Sequence, residues 1–340
     1  MAELHNSFVC KSCNALLSLE KFHKKKVGNK VIILCPICRS NKVVPVLVAI
    51  RDYCESICAY IGNIRNIWNL INKLLNSCEY MTNIILELDN NDIYIPQEII
   101  ENLIDIEAQA DYLISALLRI GKRSEFLMDN TIRFSKEIID LLEKLSEINA
   151  ELKKACSLLV QAENLVKKMN KIKQYIEKKR KILDLGIKLP NGRIERIVDV
   201  IRLNKTNLVL TNLSLIIVSQ KKIIRASLND VKVKLGRFSS IIIHAGKKKV
   251  KEKVKNPEHL LGEMTKLISY ARGIRITNIK ELLEERQLIK LHNWKDLRNN
   301  VLRLSEKFQQ MMNFIREFLH SKSNTKEKET KYSIPYRICS

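Results

Sequence analysis

The chain has 340 residues, 46% hydrophobic and 29% charged, with only 9 glycines and 6 prolines. Such a composition excludes a disordered chain, disfavours glycine-rich nucleotide-binding folds, and points to long uninterrupted helices in two or three domains. The 60 lysines and arginines against 37 acidic residues leave a formal charge of +23, a field that draws in nucleic acid, an anionic membrane surface or an acidic protein partner. A lysine-rich source proteome would give the same total, so the placement of the charges matters more than their sum. Met1–Ser12 has no apolar core ahead of a small-residue cleavage site, and no stretch approaches the roughly 18 apolar residues of a membrane span. The expected location is the cytoplasm, peripheral to the inner face of the membrane if a bilayer is the partner.

Four of the 9 cysteines fall in two identically spaced pairs, Cys10-Lys-Ser-Cys13 and Cys35-Pro-Ile-Cys38. Each Cys-x-x-Cys turn lets two thiolates converge on one ion, and two turns complete a tetrahedral sulfur shell. A redox dithiol needs one such turn in a βαβ context, not two framing a hairpin. Between the pairs lie Phe22, a turn at Val27-Gly28-Asn29-Lys30 and the strand-like Val31–Leu34. Over residues 8–44 this layout resembles the zinc ribbons, which implies structural Zn2+ on Cys10, Cys13, Cys35 and Cys38 and a nucleic-acid or protein partner. His5 and His23 read as surface residues, and Lys24-Lys25-Lys26 as a phosphate handle or a solvated loop.

From Val46 to Leu185 there are only two glycines and one proline, and apolar residues recur at three- and four-residue steps. A first helix is expected over Pro45–Leu88, with Tyr53, Ile57, Ile61, Ile64, Trp68, Ile71, Leu75 and Cys78 on one face. A second runs from Pro96 to Ile120, stopped by Gly121-Lys122-Arg123-Ser124. In the third, Ile138, Leu141, Leu145, Ile148, Leu152, Ala155, Leu159, Ala162, Val166, Met169, Lys173 and Ile176 keep strict 3,4 spacing. That is a coiled-coil seam, packed in an intramolecular three-helix bundle or against a second copy through the 138–176 heptads. The run Lys178-Lys179-Arg180-Lys181 reads as a solvated helix end or a secondary basic patch for phosphate. Cys54 and Cys58 read as buried thiols.

At Gly186 the texture turns to β-branched alternation, opened by the turn Pro190-Asn191-Gly192. Strands are expected over Arg196–Leu203, Asn207–Ser219, Lys222–Ala226, Val231–Leu235, Ser240–Ala245 and Lys249–Val254, then a helix from Pro257 to about Tyr270. The phrase Leu208-Val-Leu-Thr-Asn-Leu-Ser-Leu-Ile-Ile-Val218 and the segment Ser227-Leu-Asn-Asp-Val231 are similar to the GRAM and bacterial PH families over about 85 residues. The resemblance implies a PH-like β-barrel with a capping helix, and binding of lipid headgroups, peptides or proteins rather than chemistry. Its basic residues include Lys221, Lys222, Arg225, Lys247, Lys248, Lys249, Lys251 and Lys253, the candidate anion, lipid or phosphate site, centred on the loop Gly246–Lys255.

Two further helices, Asn278–Leu291 and Trp294–Leu319, carry apolar stripes, and Ser321–Lys331 reads as a disordered tail. No phosphate-binding glycine loop, His-Glu-x-x-His or nucleophile elbow is present, so a non-enzyme is expected. The fold class that emerges is multidomain α+β: zinc ribbon (1–45), helical bundle or coiled coil (46–185), PH-like barrel plus helix (186–275), C-terminal helices (276–320) and tail (321–340). The leading function is a zinc-binding adaptor whose basic PH-like part engages an anionic membrane or a protein. A nucleic-acid-binding ribbon protein and a structural coiled-coil oligomer are the alternatives.

Overall fold

A computed structural model describes residues 7–134, 137–183, 185–189, 194–220, 222–273, 279–284 and 291–323. Five short strands come first: β1 (Ser7–Cys10), β2 (Leu16–Ser18), β3 (His23–Val27), β4 (Lys30–Leu34) and β5 (Val43–Pro45). β1 is the middle of an antiparallel β2-β1-β5 sheet, while β3 and β4 form a separate hairpin closed by Gly28 at φ 61°. Their core is very small: Cys10, Phe22 and Cys35, ringed by Phe8, Ala15, Leu17, Ile33 and Val43.

Long helices follow: α1 (Val46–Asn90), α2 (Gln97–Phe134), α3 (Ile138–Lys153) and α4 (Ala155–Arg180). The expected stop at Gly121 does not occur, and α2 runs through it to Phe134. A mid-helix glycine costs roughly 1 kcal/mol relative to alanine. Leu127 and Met128 on the following turns are buried, and each such side chain contributes roughly 1.5–3 kcal/mol, so the helix continues.

The seam over α3 and α4 is buried largely as expected. Leu141, Leu145, Ile148, Leu152, Ala155, Ala162, Met169 and Ile176 are buried as anticipated, while Leu158, Leu165 and Ile172 are buried in place of Leu159, Val166 and Lys173. Two successive three-residue steps, Leu152–Ala155–Leu158, shift every second position of the stripe by one residue. They coincide with the break at Lys154, whose N–H reaches the Glu151 carbonyl at 3.2 Å, the i−3 bond of a 3₁₀ turn with about 3.0 residues per turn. α1 makes the same slip at Ile61–Ile64–Ile67, so Ile67 and Leu74 are buried rather than Trp68 and Leu75. Asn63 donates to Cys156 Sγ at 3.4 Å, which sets the two slips side by side.

After α4 come β6 (Gly186–Lys188), β7 (Ile194–Arg202), β8 (Thr206–Thr211), β9 (Ser214–Ser219), β10 (Ile223–Ser227), β11 (Val231–Gly236), β12 (Ser240–Ala245) and β13 (Lys248–Lys253). Among the described residues three helices follow: α5 (Pro257–Ala271), α6 (Ile279–Glu284) and α7 (Leu291–Ser323). The chain forms two compact units, one within Met1–Asn72, Asp111–Asn164 and Lys290–Ser340, the other within Lys73–Ala110 and Leu165–Ile289.

In the first unit, four helical paths are linked to one another and each buries an apolar stripe. α1 is joined to α4 by Asn63–Cys156 and to α7 by the Arg65 guanidinium donating to Ser305. α2 is joined to α3 by Arg123–Glu151 at 3.2 Å, and to α7 by Lys307, which lies 2.7 Å from Glu125 and 2.8 Å from Asp129. The expected three-helix bundle is therefore four-membered here, because α7 buries its own stripe of Leu297, Val301, Leu304, Phe308, Met311 and Ile315.

In the second unit, β10-β9-β8-β7-β6 is an antiparallel five-stranded sheet and β11-β12-β13 a three-stranded one. The expected closed barrel is not formed, and the two sheets share no ladder. A 3₁₀ turn at Leu228–Asp230 takes the chain out of the β10 ladder: Leu228 is buried, and its N–H bonds to the Leu213 carbonyl at 3.2 Å. The sheets join instead through apolar faces, with Val198, Leu208, Leu210, Leu215, Ile217, Ile241 and Ile243 meeting Met264, Leu267 and Ile268 of α5. The expected single strand Asn207–Ser219 is a hairpin, because Thr211 Oγ1 accepts the Leu213 and Ser214 N–H groups (3.3 and 2.8 Å) and turns the chain.

A β-bulge between Ile197 and Asp199 in β7 breaks the period-2 alternation. Ile197, Val198 and Asp199 are consequently all buried, and the Val198 carbonyl is free to accept Tyr94 N–H at 3.3 Å. The lysine run at the end of α4 divides here. Lys179 is buried and paired with Asp199 at 2.5 Å, while Arg180 lies 3.7 Å from Glu87 and 3.3 Å from the Tyr80 hydroxyl. Lys178 and Lys181 are exposed.

Candidate functional site

The four cysteines of the paired knuckles meet. Cys10 and Cys38 Sγ are 3.5 Å apart, as are Cys13 and Cys35, and all four sulfurs lie within 4.8 Å of one another. A tetrahedral ion at 2.3 Å from each sulfur needs S···S edges of roughly 3.8 Å, so the cluster is geometrically able to hold a metal ion. The described cysteines form no disulfide.

Both knuckles are built by the same bonds. Asn14 N–H returns to the Cys10 carbonyl (2.8 Å) as Arg39 N–H does to Cys35 (2.9 Å), while Cys10 N–H reaches the Ala15 carbonyl (3.0 Å) as Cys35 N–H does Ser40 (2.9 Å). Asn14 and Arg39 both have φ 58°. Asparagine tolerates that region; arginine pays roughly 1–2 kcal/mol for it. Arg39→Gly should therefore raise the melting temperature of the metal-loaded knuckle region, and an unchanged or lower value would refute the strain.

The sulfurs do not ionise alike. Burial works to raise the Cys10 thiol, but the Ser12 and Cys13 N–H groups and the neighbouring sulfurs bring it down to about 7. At Cys13 the Ala15 N–H favours the thiolate, yet desolvation and the other three sulfurs outweigh it and push the thiol to about 12. Cys38, though helped by Ser40 N–H, is also raised, by desolvation and by the Cys10 and Cys35 sulfurs. A cation must therefore displace the protons that Cys13 and Cys38 hold. His23 is exposed on β3, His5 lies outside the described residues, and the four cysteines are the ligand cluster found among the described residues.

The basic residues of the β-module divide by strand period. Across the three-stranded sheet the rows are Lys232–His244–Lys249, Lys234–Ile242–Lys251 and Gly236–Ser240–Lys253. Alternate rows put Ile241, Ile243 and Ala245 into the core, so the first set faces outward. Lys232, Lys234, Lys249, Lys251 and Lys253 are exposed, with no carboxylate in these rows. Successive lysines on a strand are about 6.8 Å apart, and those on β11 and β13 about 9.6 Å apart across β12. Lys247 and Lys248 are exposed at the β12–β13 turn. Lys222 is exposed, Lys221 lies outside the described residues, and Arg225 is drawn to the buried Glu195.

That carboxylate also accepts from Ser214 Oγ (3.1 Å) and Thr211 Oγ1 (3.4 Å). Neither this cluster nor the Lys179–Asp199 pair was anticipated from the chain. The three consecutive buried positions at Ile197–Asp199 depend on the bulge, and a pattern of alternation alone carries no sign of it. Tyr94 and Tyr270 pack edge to face at 5.2 Å beside this pair, and Tyr270 donates to Asp89 at 3.0 Å. Burial, followed by Asp199 and Glu263, pushes the Tyr175 hydroxyl up.

No described helix is long and apolar enough to cross a membrane. Compared with known families and with curated proteins, the chain matches no family model and no curated sequence.

Proposed function

We propose that the protein is a non-enzymatic zinc-binding adaptor that settles on an anionic membrane surface through its β-module. The observation that carries this reading is the outer face of β11-β12-β13: five exposed lysines and His244, with no acidic residue in the same rows. Such a face attracts a polyanionic surface, each lysine contributing roughly 1 kcal/mol when several act together. The module is read as PH-like, assembled from two sheets rather than a closed barrel. A meander of β7–β10, a second meander of β11–β13 and the helix α5 across the core support that reading. The cysteine knuckles are read as a zinc ribbon: a sulfur-only shell with no open position suits structural zinc and leaves the knuckle surface for a protein partner.

The test is co-sedimentation with phosphatidylserine-containing vesicles. Lys234→Glu with Lys251→Glu should lower partitioning by more than the fivefold expected per lysine lost, while the circular dichroism and zinc content stay unchanged. Equal partitioning of variant and wild type would reject the lysine face as the contact.

A second reading, nucleic-acid binding, has its own observation: Lys24, Lys25, Lys26 and Lys30 are all exposed on the β3–β4 hairpin beside the cysteine cluster. It requires single- or double-stranded DNA or RNA to outcompete vesicles at physiological salt, with a steep salt dependence. Self-association through the 138–176 heptads remains a third proposal, checked by sedimentation.

A further inference from the structure

The β11–β12 hairpin ends in Arg237-Phe238-Ser239. Phe238 has φ 60° and Ser239 φ 48°, two successive residues in the left-handed region that glycine and asparagine normally fill. A bulky aromatic in that conformation is an outlier, and Phe238 is 82% exposed, so no packing within the described residues compensates for it. Leu235, just before the turn, is 46% exposed. Around this apolar apex stands a ring of cations. Arg237 is adjacent; Lys234 and Lys253 lie in the rows nearest the tip. The Ser239 carbonyl accepts Val254 N–H at 2.9 Å, which brings Lys255 alongside. Asn204 donates to the Lys253 carbonyl at 3.1 Å and so brings the exposed Lys205 there too.

We propose that this hairpin is a membrane-insertion tip: Phe238 enters the interfacial layer of an anionic bilayer while Lys205, Lys234, Arg237, Lys253 and Lys255 hold the headgroups. The proposal rests on the membrane reading above and adds the depth and orientation of contact. An aromatic at a convex apex with cations set back from it matches the bilayer interface, where apolar bodies sit below charged heads. A base-stacking platform instead carries several aromatics on the sheet face, and here that face carries lysines with Ile242 and His244 and no Phe, Tyr or Trp. A residue that strains its own turn while remaining exposed is also what a site held for function, rather than stability, looks like.

The experiment uses the full-length zinc-loaded protein with phosphatidylcholine vesicles containing about a quarter phosphatidylserine. Phe238→Gly should raise the melting temperature, because it relieves the turn, yet weaken vesicle binding by about tenfold and abolish the part of binding that survives high salt. Phe238→Trp should gain quenching by lipids brominated on their chains, beyond that of the wild type with its own two tryptophans. If the wild type binds vesicles in a salt-sensitive way but Phe238→Gly binds equally and Phe238→Trp is not quenched, the insertion is wrong and the lysine-face reading stands. If the wild type ignores vesicles while Phe238→Gly weakens binding to single-stranded DNA, the tip stacks on bases and both readings fall.

Discussion

Stripping the metal from the zinc-loaded protein with a chelator should unfold residues 7–45 and leave the helical and β-module signals in place. Four hydrophobic side chains of that region are buried, Val9, Cys10, Phe22 and Cys35, two of them cysteines, whereas ordering a residue costs roughly 1–2 kcal/mol of backbone entropy. Bound structural zinc supplies roughly 10–16 kcal/mol in comparable small domains, far more than Phe22 and its neighbours provide. Amide hydrogen exchange localises the effect: protection should vanish on β1–β5 and persist on α1, α2 and β7–β12. Retained protection over 7–45 after full metal removal would overturn the structural role. The pH dependence has a fixed sign. Cys13 and Cys38 hold their protons at neutral pH because their thiols are raised, so the cation must displace them, and acid always opposes loading. The loss steepens below about pH 7, where Cys10 also takes up its proton.

The next largest effect is expected at Asp199. The Asp199 and Lys179 side chains, 9% and 10% exposed, are locked together, and the Val200 N–H also bonds to Asp199 Oδ1 at 2.7 Å. Asp199→Ala leaves an uncompensated buried ammonium and an orphaned N–H, which costs about 3–5 kcal/mol. Replacing both partners, Lys179→Met with Asp199→Leu, should recover most of that loss, since a buried pair is worth little more than an apolar one of the same size. Denaturant unfolding followed by tyrosine fluorescence of the second unit reads both variants. A double variant as unstable as Asp199→Ala would show that the pair does more than neutralise itself.

Much of this was legible in the chain. The cysteine spacing located the sulfur cluster, because ligand geometry is local to each Cys-x-x-Cys turn. Strand limits over Val231–Lys253 agreed with the structure to within a residue, since β-branched alternation is itself the signal of a half-buried sheet. Legibility failed where tertiary burial decided the outcome. Gly121 reads as a stop only until Leu127 and Met128 find a core. Beyond Ala155 the seam kept Ala162, Met169 and Ile176 but took Leu158, Leu165 and Ile172 for their neighbours, because a 3₁₀ turn at Lys154 is invisible to a heptad count. Lys179 reads as one of four equivalent cations, and only the β7 bulge turns a carboxylate toward it. Phe238 lies between two expected strands and drew no expectation of its own, because a sequence does not reveal the sign of φ.

The four-membered helical arrangement of the first unit has a consequence for synthesis. α1 and α2 meet α7 through Arg65–Ser305 and Lys307–Asp129, partners separated by 240 and 178 positions. On the ribosome, the apolar stripes of α1 and α2 emerge more than 150 residues before the helix that covers them, a delay of roughly ten seconds or more at 5–20 residues per second. During that interval the β-module can fold on its own local contacts, since its meandering strands are neighbours in sequence. The nascent chain therefore passes through a state with a finished β-module and an open helical face, the state a holding chaperone would recognise and the one in which truncation before Leu291 would leave the chain.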